Sequence, residues 1–395
     1  MNILFVHETE YIEKMIFEYQ IIPEILSSRG HNIIVIDYPT KWNRASGSFF
    51  HKSRSFPNIR RAYKDKGITL LRPGFIKIPI LSRISAFFSY FSLIEHAIVV
   101  YDIDCIVLYA APTNGFQTLW NAKKRHIPVY FRLIDIIHLL VPSNFLRYPA
   151  LLIEKYVYRQ VDRLTAITHN LMSYAVSIGA DPMKCSYLPT GADKDLFYSK
   201  PKKKELLLEH GLTENDLLLV FAGTLYEFSG LDWVIRGFPH YLKVIPNLKL
   251  IIVGNGEQES FLKSEIIRLG LEKHIKMTGF INYFDLPDFI NLGDICLNLF
   301  EITAVTQKII PSKIYQYLAC GKPVVATKLP GMMDIFPDGC AKGVFYISNP
   351  SDFIDQIKQI GKQNISNDNP SLQEITSIIE EDLLILSRTL RKNTE

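Results

Sequence analysis

Short runs of apolar, largely β-branched residues recur along this chain. Each closes at a glycine or a polar residue and gives way to a stretch with helical periodicity. The pattern predicts strands over Asn2–Val6, Asn32–Asp37, Asp104–Ala110, Pro128–Leu133, Leu164–Thr168 and Cys185–Pro189. Helical stretches fall between them, notably Glu13–Ser28, which ends at Gly30, and residues 84–101. Runs this brief and this continuously apolar suit strands covered on both faces, which means a parallel sheet. Regular alternation of strand and helix argues for a doubly wound α/β layer.

The pattern then starts again. Leu217–Gly223, Lys249–Val253, Ile275–Thr278, Asp294–Leu299, Pro323–Thr327 and Gly343–Ile347 read as strands, with helices at Leu231–Tyr241, Phe261–Leu269 and Leu286–Leu292. Between the two series lies the polar gap Tyr198–Lys204, ending in SKPKKK, whose composition reads as a linker. At 395 residues the chain exceeds one ordinary core. Two Rossmann-like doubly wound domains are expected, residues 1–197 and 198–371, facing across a cleft, with a helix of about 372–395 joining the first.

With 24 Phe and 20 Tyr the chain has ample material for packed cores, which excludes disorder. The net charge of +4 is unevenly spread: residues 41–83 hold eleven Lys or Arg against one acid, Asp65. Cys105, Cys185, Cys296, Cys320 and Cys340 show no CxxC spacing and read as reduced residues of a cytosolic protein, with no zinc site. The N-terminus turns acidic after six residues and reads as a strand, not a signal peptide. The charge-free run Ile84–Ile94 is too short to span a bilayer.

Open α/β sheets bind ligands beyond the carboxyl ends of their strands. Three loops of the second series have suitable chemistry. In FAGTLYEFSGLDW, residues 221–233, Gly223 ends a strand, Gly230 permits close backbone approach, and Ser229 offers a hydroxyl and an amide near a helix start. In VGNGEQE, residues 253–259, Gly254, Asn255 and Gly256 follow a buried strand, without the GxGxxG spacing or the later acid of a dinucleotide site. In IIPSKIYQYLACGKPVVATK, residues 309–328, Pro311 and Ser312 open a short helix, Ser312 as its expected N-cap, with Lys308 and Lys313 beside them. Each loop alone also fits a plain packing turn. Together they suit a phosphate or diphosphate.

As an ordered set these motifs resemble the GT-B glycosyltransferases of family 4, which use nucleotide-sugar donors. LPTGADKDLF, residues 188–197, resembles the family's hinge motif. FAGTLYEFSGLDWVIRGF resembles the segment lining the donor diphosphate, and LIIVGNGEQESFLKSEIIRLGLEKHIKMTGFI the next strand–turn–helix–strand unit. IPSKIYQYLACGKPVVAT resembles the helix that meets the sugar and ribose. The first series is similar only in rhythm and around Ile134–Ile136 and Glu154–Thr168. Four positions depart from the family's pattern. Thr224 and Ser229 occupy positions where the family often has Arg and Lys, and Lys308 and Gln316 occupy those of two glutamates. Gln316 can still bond ribose hydroxyls, and Lys308 and Lys313 can supply the missing positive charge.

The resemblance implies transfer of a sugar to a lipid-linked or saccharide acceptor, with retention of configuration and without a metal ion or other cofactor. Negative charge builds on the leaving diphosphate, and fixed amides and cations stabilise it. Asp102-Ile103-Asp104 precedes a strand, at the wrong end of the sheet for a metal-diphosphate site. Catalytic candidates are Asp135, Lys308 and Lys313. Donor contacts are expected from Gly223, Thr224, Ser229, Gly230, Gly254, Asn255, Gly256, Gly279, Phe280, Pro311, Ser312 and Gln316. On the acceptor side, His7 and Glu8 follow the first strand and His138 lies just beyond Asp135. The basic segment leads into the apolar stretch Phe75–Phe91, a pairing suited to an anionic membrane surface at the cytoplasmic face. No nucleic-acid-binding module is recognisable. A GT-B-shaped partner subunit without catalysis and a nucleotide-sugar epimerase remain open alternatives.

Overall fold

The computed structural model describes residues 1–39, 49–63, 66–78, 81–141, 144–303, 306–308, 311–337, 339–362, 365 and 369–392. The side chains of residues 144, 308, 340, 341 and 390–392 lie outside this description. The chain divides into one compact unit of Met1–Thr190 with Leu372–Glu395, and a second of Gly191–Ser371.

The first unit runs β1 (Asn2–Val6), α1 (Glu18–Ser28), β2 (Asn32–Ile36), β3 (Phe50–His51), β4 (Arg54–Ile59), β5 (Ile68–Arg72), β6 (Phe75–Ile76), α2 (Leu81–Val100) and β7 (Cys105–Leu108). It continues with α3 (Gly115–Lys124), β8 (Val129–Leu133), α4 (Asn144–Gln160), β9 (Arg163–Ala166), α5 (His169–Ser177) and β10 (Cys185–Tyr187). Eight strands form one sheet in the order β10-β9-β8-β7-β1-β2-β5-β4, parallel except for the β4–β5 pair. Register is set by apolar partners: Ile3 faces Ile33 on one side and Cys105 on the other. Leu4, Phe5, Ile34, Val107 and Phe131 are fully buried, as strands covered on both faces must be.

The second unit runs α6 (Lys204–Glu209), β11 (Leu217–Ala222), α7 (Leu231–Val244), β12 (Leu248–Val253), α8 (Glu259–Arg268), β13 (Ile275–Gly279), α9 (Leu286–Leu292) and β14 (Ile295–Asn298). Then come α10 (Lys313–Ala319), β15 (Val324–Thr327), α11 (Pro330–Ile335), β16 (Val344–Ile347) and α12 (Phe353–Ile360). Its six strands are all parallel, in the order β13-β12-β11-β14-β15-β16. Val220, Ile251, Leu297 and Val325 lie at the centre of its core. The last helix, α13 (Leu372–Lys392), belongs to the first unit and packs on α1 and β7.

Two expectations from sequence change here. The polar gap ending in SKPKKK is not a free linker. Lys202 pairs with Asp294 at 2.6 Å, Lys203 with Asp288 at 2.5 Å, and the Lys200 amide donates to Asn291. Lysines that look like solvated linker residues are thus matched to acids about 90 residues away, which a local reading misses. The division also falls at Thr190/Gly191 rather than after residue 197, because Ala192 and Phe197 are part of the second unit's core.

Candidate functional site

In the second unit the chain passes from β11 outward to β12 and β13, then returns to the other side of β11 for β14. Strand order reverses between β11 and β14, and the carboxyl ends of those two strands are where such a sheet leaves a crevice. The three glycine and helix-start loops all emerge at this edge. Gly223 follows β11 with φ 146°, and Gly254 follows β12 with φ 129°. A Cβ on Gly254 would lie 2.0 Å from the Gly223 carbonyl oxygen, so only glycine lets the two loops lie this close. The Gly254 amide donates to the Gly279 carbonyl at 2.8 Å, and the Leu225 amide to the Asn255 carbonyl at 3.0 Å. On the other side a Cβ on Gly230 would lie 2.1 Å from the Leu299 carbonyl oxygen, just beyond β14. The fold therefore brings Gly223, Gly230, Gly254, Gly256 and Gly279 to one sheet edge.

The opening helix of the third loop is stapled to the same place. The Tyr317 hydroxyl, on α10, accepts from the Ala222 amide at 2.7 Å and donates to the Ala222 carbonyl at 3.1 Å. This fixes Lys313 one turn earlier. Its Nζ lies 3.8 Å from the ring centroid of Phe221, at the end of β11, and 4.6 Å from that of Phe300, just past β14. It would lie 3.2 Å from a Cβ on Gly223. The ammonium is buried and has no hydrogen-bond partner among the described residues. Burial pushes its pKa down to about 7, because the charged form is poorly solvated there. A cation held on aromatic faces at a strand-end crevice is a candidate to meet an anion there.

Other expected donor contacts change when their surroundings are known. Ser229 is buried, its hydroxyl bonded to the Tyr226 amide at 3.0 Å and its own amide donating to the Tyr226 carbonyl. Its polar groups close the turn before α7 and are not presented to a ligand. Ser312 occupies the N-cap position of α10 but makes no capping bond. The Ile314 and Tyr315 amides already donate to the Pro311 and Ser312 carbonyls, and α10 has only 7 residues. The helix start is thus a weaker anion site than its sequence promised, and the nearest buried cation is Lys313. Thr224, Ser312 and Gln316 are half-buried at this edge, Pro311 is buried, and Asn255 and Phe280 are exposed. Lys308 lies in the turn Thr306–Lys308, and its side chain lies outside the described residues. Sequence reading passed over Asn298. It ends β14 fully buried, with neither side-chain amide atom bonded among the described residues. The signal was available: one amide inside the apolar run ICLNLF.

In the first unit, order reverses between β1 and β7, and the acceptor-side candidates lie at the corresponding edge. Glu8 accepts from the Thr113 amide at 2.7 Å and pairs with Arg83 at 3.1 Å, so it ties the loop after β1 to the loop before α3. His7 is buried beside Tyr11 and Tyr19, and burial lowers its pKa to about 4. It is a neutral imidazole at ordinary pH. Asp135, after β8, is half-buried, and desolvation raises its carboxyl pKa to about 7. That is the range of a general base poised for work near neutrality. His138 Nδ1 lies 2.7 Å from a carboxylate oxygen of buried Glu154 and 3.1 Å from the Tyr174 hydroxyl, which makes it a fixed group rather than a free one. Asp104 accepts from the Asn2 amide at 2.8 Å, at the amino ends of β1 and β7. The DxD acids thus lie on the edge of the sheet opposite Asp135.

The basic segment also divides. Residues 40–48, 64–65 and 79–80 lie outside the description, and Lys41, Arg44, Lys64 and Asp65 with them. Arg72 is committed to Asp37 and Glu10 at 2.9 Å each, and Arg61 donates to the Lys14 carbonyl. Phe75 is buried in β6, and the apolar run continues as the longer helix α2, which by length and composition could cross a membrane.

Residues 202–374, nearly all within the second unit, match the family model described as glycosyl transferases group 1. An uncharacterized glycosyltransferase of Methanocaldococcus jannaschii is 25% identical over 175 residues, 39% of this chain and 42% of its own. Alpha-monoglucosyldiacylglycerol synthase of Streptococcus pneumoniae is 23% identical over 262 residues, 62% of this chain and 56% of its own. The chain thus spans about half the length of these curated relatives. Anabaena HepE, solved in complex with UDP-glucose, superposes with a TM-score of 0.64 over 100% of this chain and 99% of that one, at 18% identity. The fold is GT-B, built of two Rossmann-like α/β units.

Proposed function

We propose that the protein is a glycosyltransferase that moves a sugar from a nucleoside-diphosphate sugar to a lipid-linked or saccharide acceptor, retaining the anomeric configuration and needing no metal ion. The observation that carries this reading is Lys313. Its ammonium is held on Phe221 and Phe300 beneath Gly223, where strand order reverses in a domain matching glycosyl transferases group 1. As the bond from the anomeric carbon to the diphosphate breaks, negative charge grows on the leaving oxygens. A preplaced cation and backbone amides lower the energy of that state more than of the bound ground state. Lys313 does the work that Arg and Lys at positions 224 and 229 do in the family this chain resembles. Lys308 adds a second cation, Gln316 and Asn298 bond hydroxyls of the ribose or sugar, and the backbone near Gly279 and Phe280 meets the base.

The acceptor belongs to the first unit in this reading. Asp135 takes the acceptor hydroxyl proton, and His7, Glu8 and His138 shape its surroundings. The lipid-linked form of the acceptor is favoured by the similarity to the Streptococcus pneumoniae alpha-monoglucosyldiacylglycerol synthase. The protein then works in the cytoplasm, at the membrane face.

The test is nucleoside diphosphate release from a panel of UDP- and GDP-sugars, with and without a membrane extract. Release that requires the extract supports transfer. Donor turnover without acceptor points to an epimerase. No release with any donor, and no thermal stabilisation by any nucleoside diphosphate, removes the enzyme reading.

A further inference from the structure

Three helices of the first unit, α2, α3 and α4, pack side by side. Phe116 of α3 binds them together, its ring 6.0 Å from Phe91 of α2 and 5.5 Å from Tyr156 of α4. Their outer faces are strongly apolar. Phe145 is 87% exposed, Tyr148 68%, Phe88 67% and Trp120 59%, with Ile84 and Leu152 also open. A soluble surface scatters such residues singly; a run of them across three adjoining helices marks an interaction face.

The charge around this face is one-sided. The three helices carry Arg83, Lys123, Lys124, Arg147, Lys155 and Arg159 against two acids, Glu95 and Glu154. Glu95 is paired with Lys124 and Arg125, and Glu154 is buried against His138 and Tyr158. An aromatic face rimmed by cations matches an anionic leaflet, where Trp and Tyr settle at headgroup depth and each Lys or Arg gains from the surface potential. It is poorly matched to a second copy of itself, because a two-fold contact would set these cations against one another. Nor is α2 arranged as a span. Ser82, Ala86, Tyr90, Ile94, Ala97 and Ile98 bury one stripe of it inside the unit, leaving the other stripe to face outward.

We propose that the α2–α3–α4 face docks on an anionic lipid surface, with Phe88, Trp120, Phe145, Tyr148 and Leu152 entering the headgroup layer and Lys155 and Arg159 meeting lipid phosphates. The inference rests on the reading above only in taking the acceptor as lipid-linked. It keeps the part of the stretch Phe75–Phe91 that lies in α2 and shifts the rest of the membrane contact from the basic segment 41–83 to α3 and α4.

The test is sedimentation of the full chain with phosphatidylcholine vesicles, with and without phosphatidylglycerol. Binding should require phosphatidylglycerol and weaken as sodium chloride is raised. The emission of Trp120, identified by loss of signal in Trp120→Phe, should shift to the blue on binding and be quenched by brominated lipid. The exposed triple variant Phe145→Ser/Tyr148→Ser/Leu152→Ser should bind roughly tenfold or more weakly. So should Lys155→Glu/Arg159→Glu, which guards against a folding defect in the first. Stabilisation by nucleoside diphosphate should be unchanged in both. Vesicle binding without any nucleotide response would keep this surface and sink the enzyme reading. Absent binding to phosphatidylglycerol vesicles, binding that survives both variants, or a wild-type dimer that the triple variant dissociates would overturn the surface itself.

Discussion

Lys313 and Asp135 are the two residues whose surroundings most alter their chemistry. The Lys313 ammonium is buried with no hydrogen-bond partner among the described residues, and its pKa of about 7 lies well below the usual 10.5. The unfolded chain therefore holds that proton more tightly, so this group costs stability below pH 7 and the cost is relieved as pH rises toward 10.5. Lys313→Met should raise the denaturation midpoint at pH 6, by about 1 to 3 kcal/mol, while weakening donor binding. Calorimetry on the wild type and Lys313→Met checks this; a variant that is less stable yet binds donor normally would make Lys313 a packing residue. Asp135 has the opposite sign. Its pKa of about 7 exceeds the usual 3.8, so the native state holds the proton more tightly and stability from this group falls as pH rises from about 4 to 7. As a base it must be ionised, so turnover should climb through pH 7. Asp135→Asn should lose roughly 10² or more in kcat and flatten that limb, while gaining stability at pH 8. A pH–rate profile of both proteins, read beside their urea midpoints, tests the assignment.

At the scale of elements, the candidate site is made by loops that approach one another more closely than side chains permit. Gly254 has φ 129°, and the carbonyl of Gly223 occupies the place its Cβ would need. Gly254→Ala should therefore cost at least about 1 to 3 kcal/mol of stability and abolish nucleotide-dependent stabilisation together. Near-wild-type values of both would mean that the β11 and β12 loops yield readily and do not define the crevice. The same reasoning explains why α10 matters more as a carrier than as a dipole. Its seven residues give little macrodipole, but the two bonds of the Tyr317 hydroxyl to Ala222 hold its first turn against β11. Position, not helix polarity, is what it contributes.

At the scale of the whole molecule, the chain returns to its first unit after completing the second. Leu372, Ile375, Thr376, Ile379 and Leu383 of α13 are buried there, and Glu380 pairs with both Arg29 and His31 at 2.6 Å. Each of the buried aliphatic residues is worth roughly 1.5 to 3 kcal/mol. Deleting residues 372–395 should therefore destabilise the first unit outright, seen as early proteolysis within residues 1–190 and a lowered first transition on heating. Unchanged protection of that unit would show that α13 is an appendage.

Most of the strands, their parallel character and the glycines at their carboxyl ends were legible in the sequence, because apolar periodicity and turn chemistry are local properties of a few neighbouring residues; β3 to β6 and the order of the strands were not. The two-unit α/β plan followed from the repetition of that pattern. The ionisation of Lys313 and Asp135, the inward turn of Ser229, the pinning of Lys202 and Lys203, and the aromatic face across α2, α3 and α4 were decided only on folding. Each depends on which distant residues exclude water from a group or supply its counter-charge, and solvent exclusion is a property of packed elements rather than of the chain.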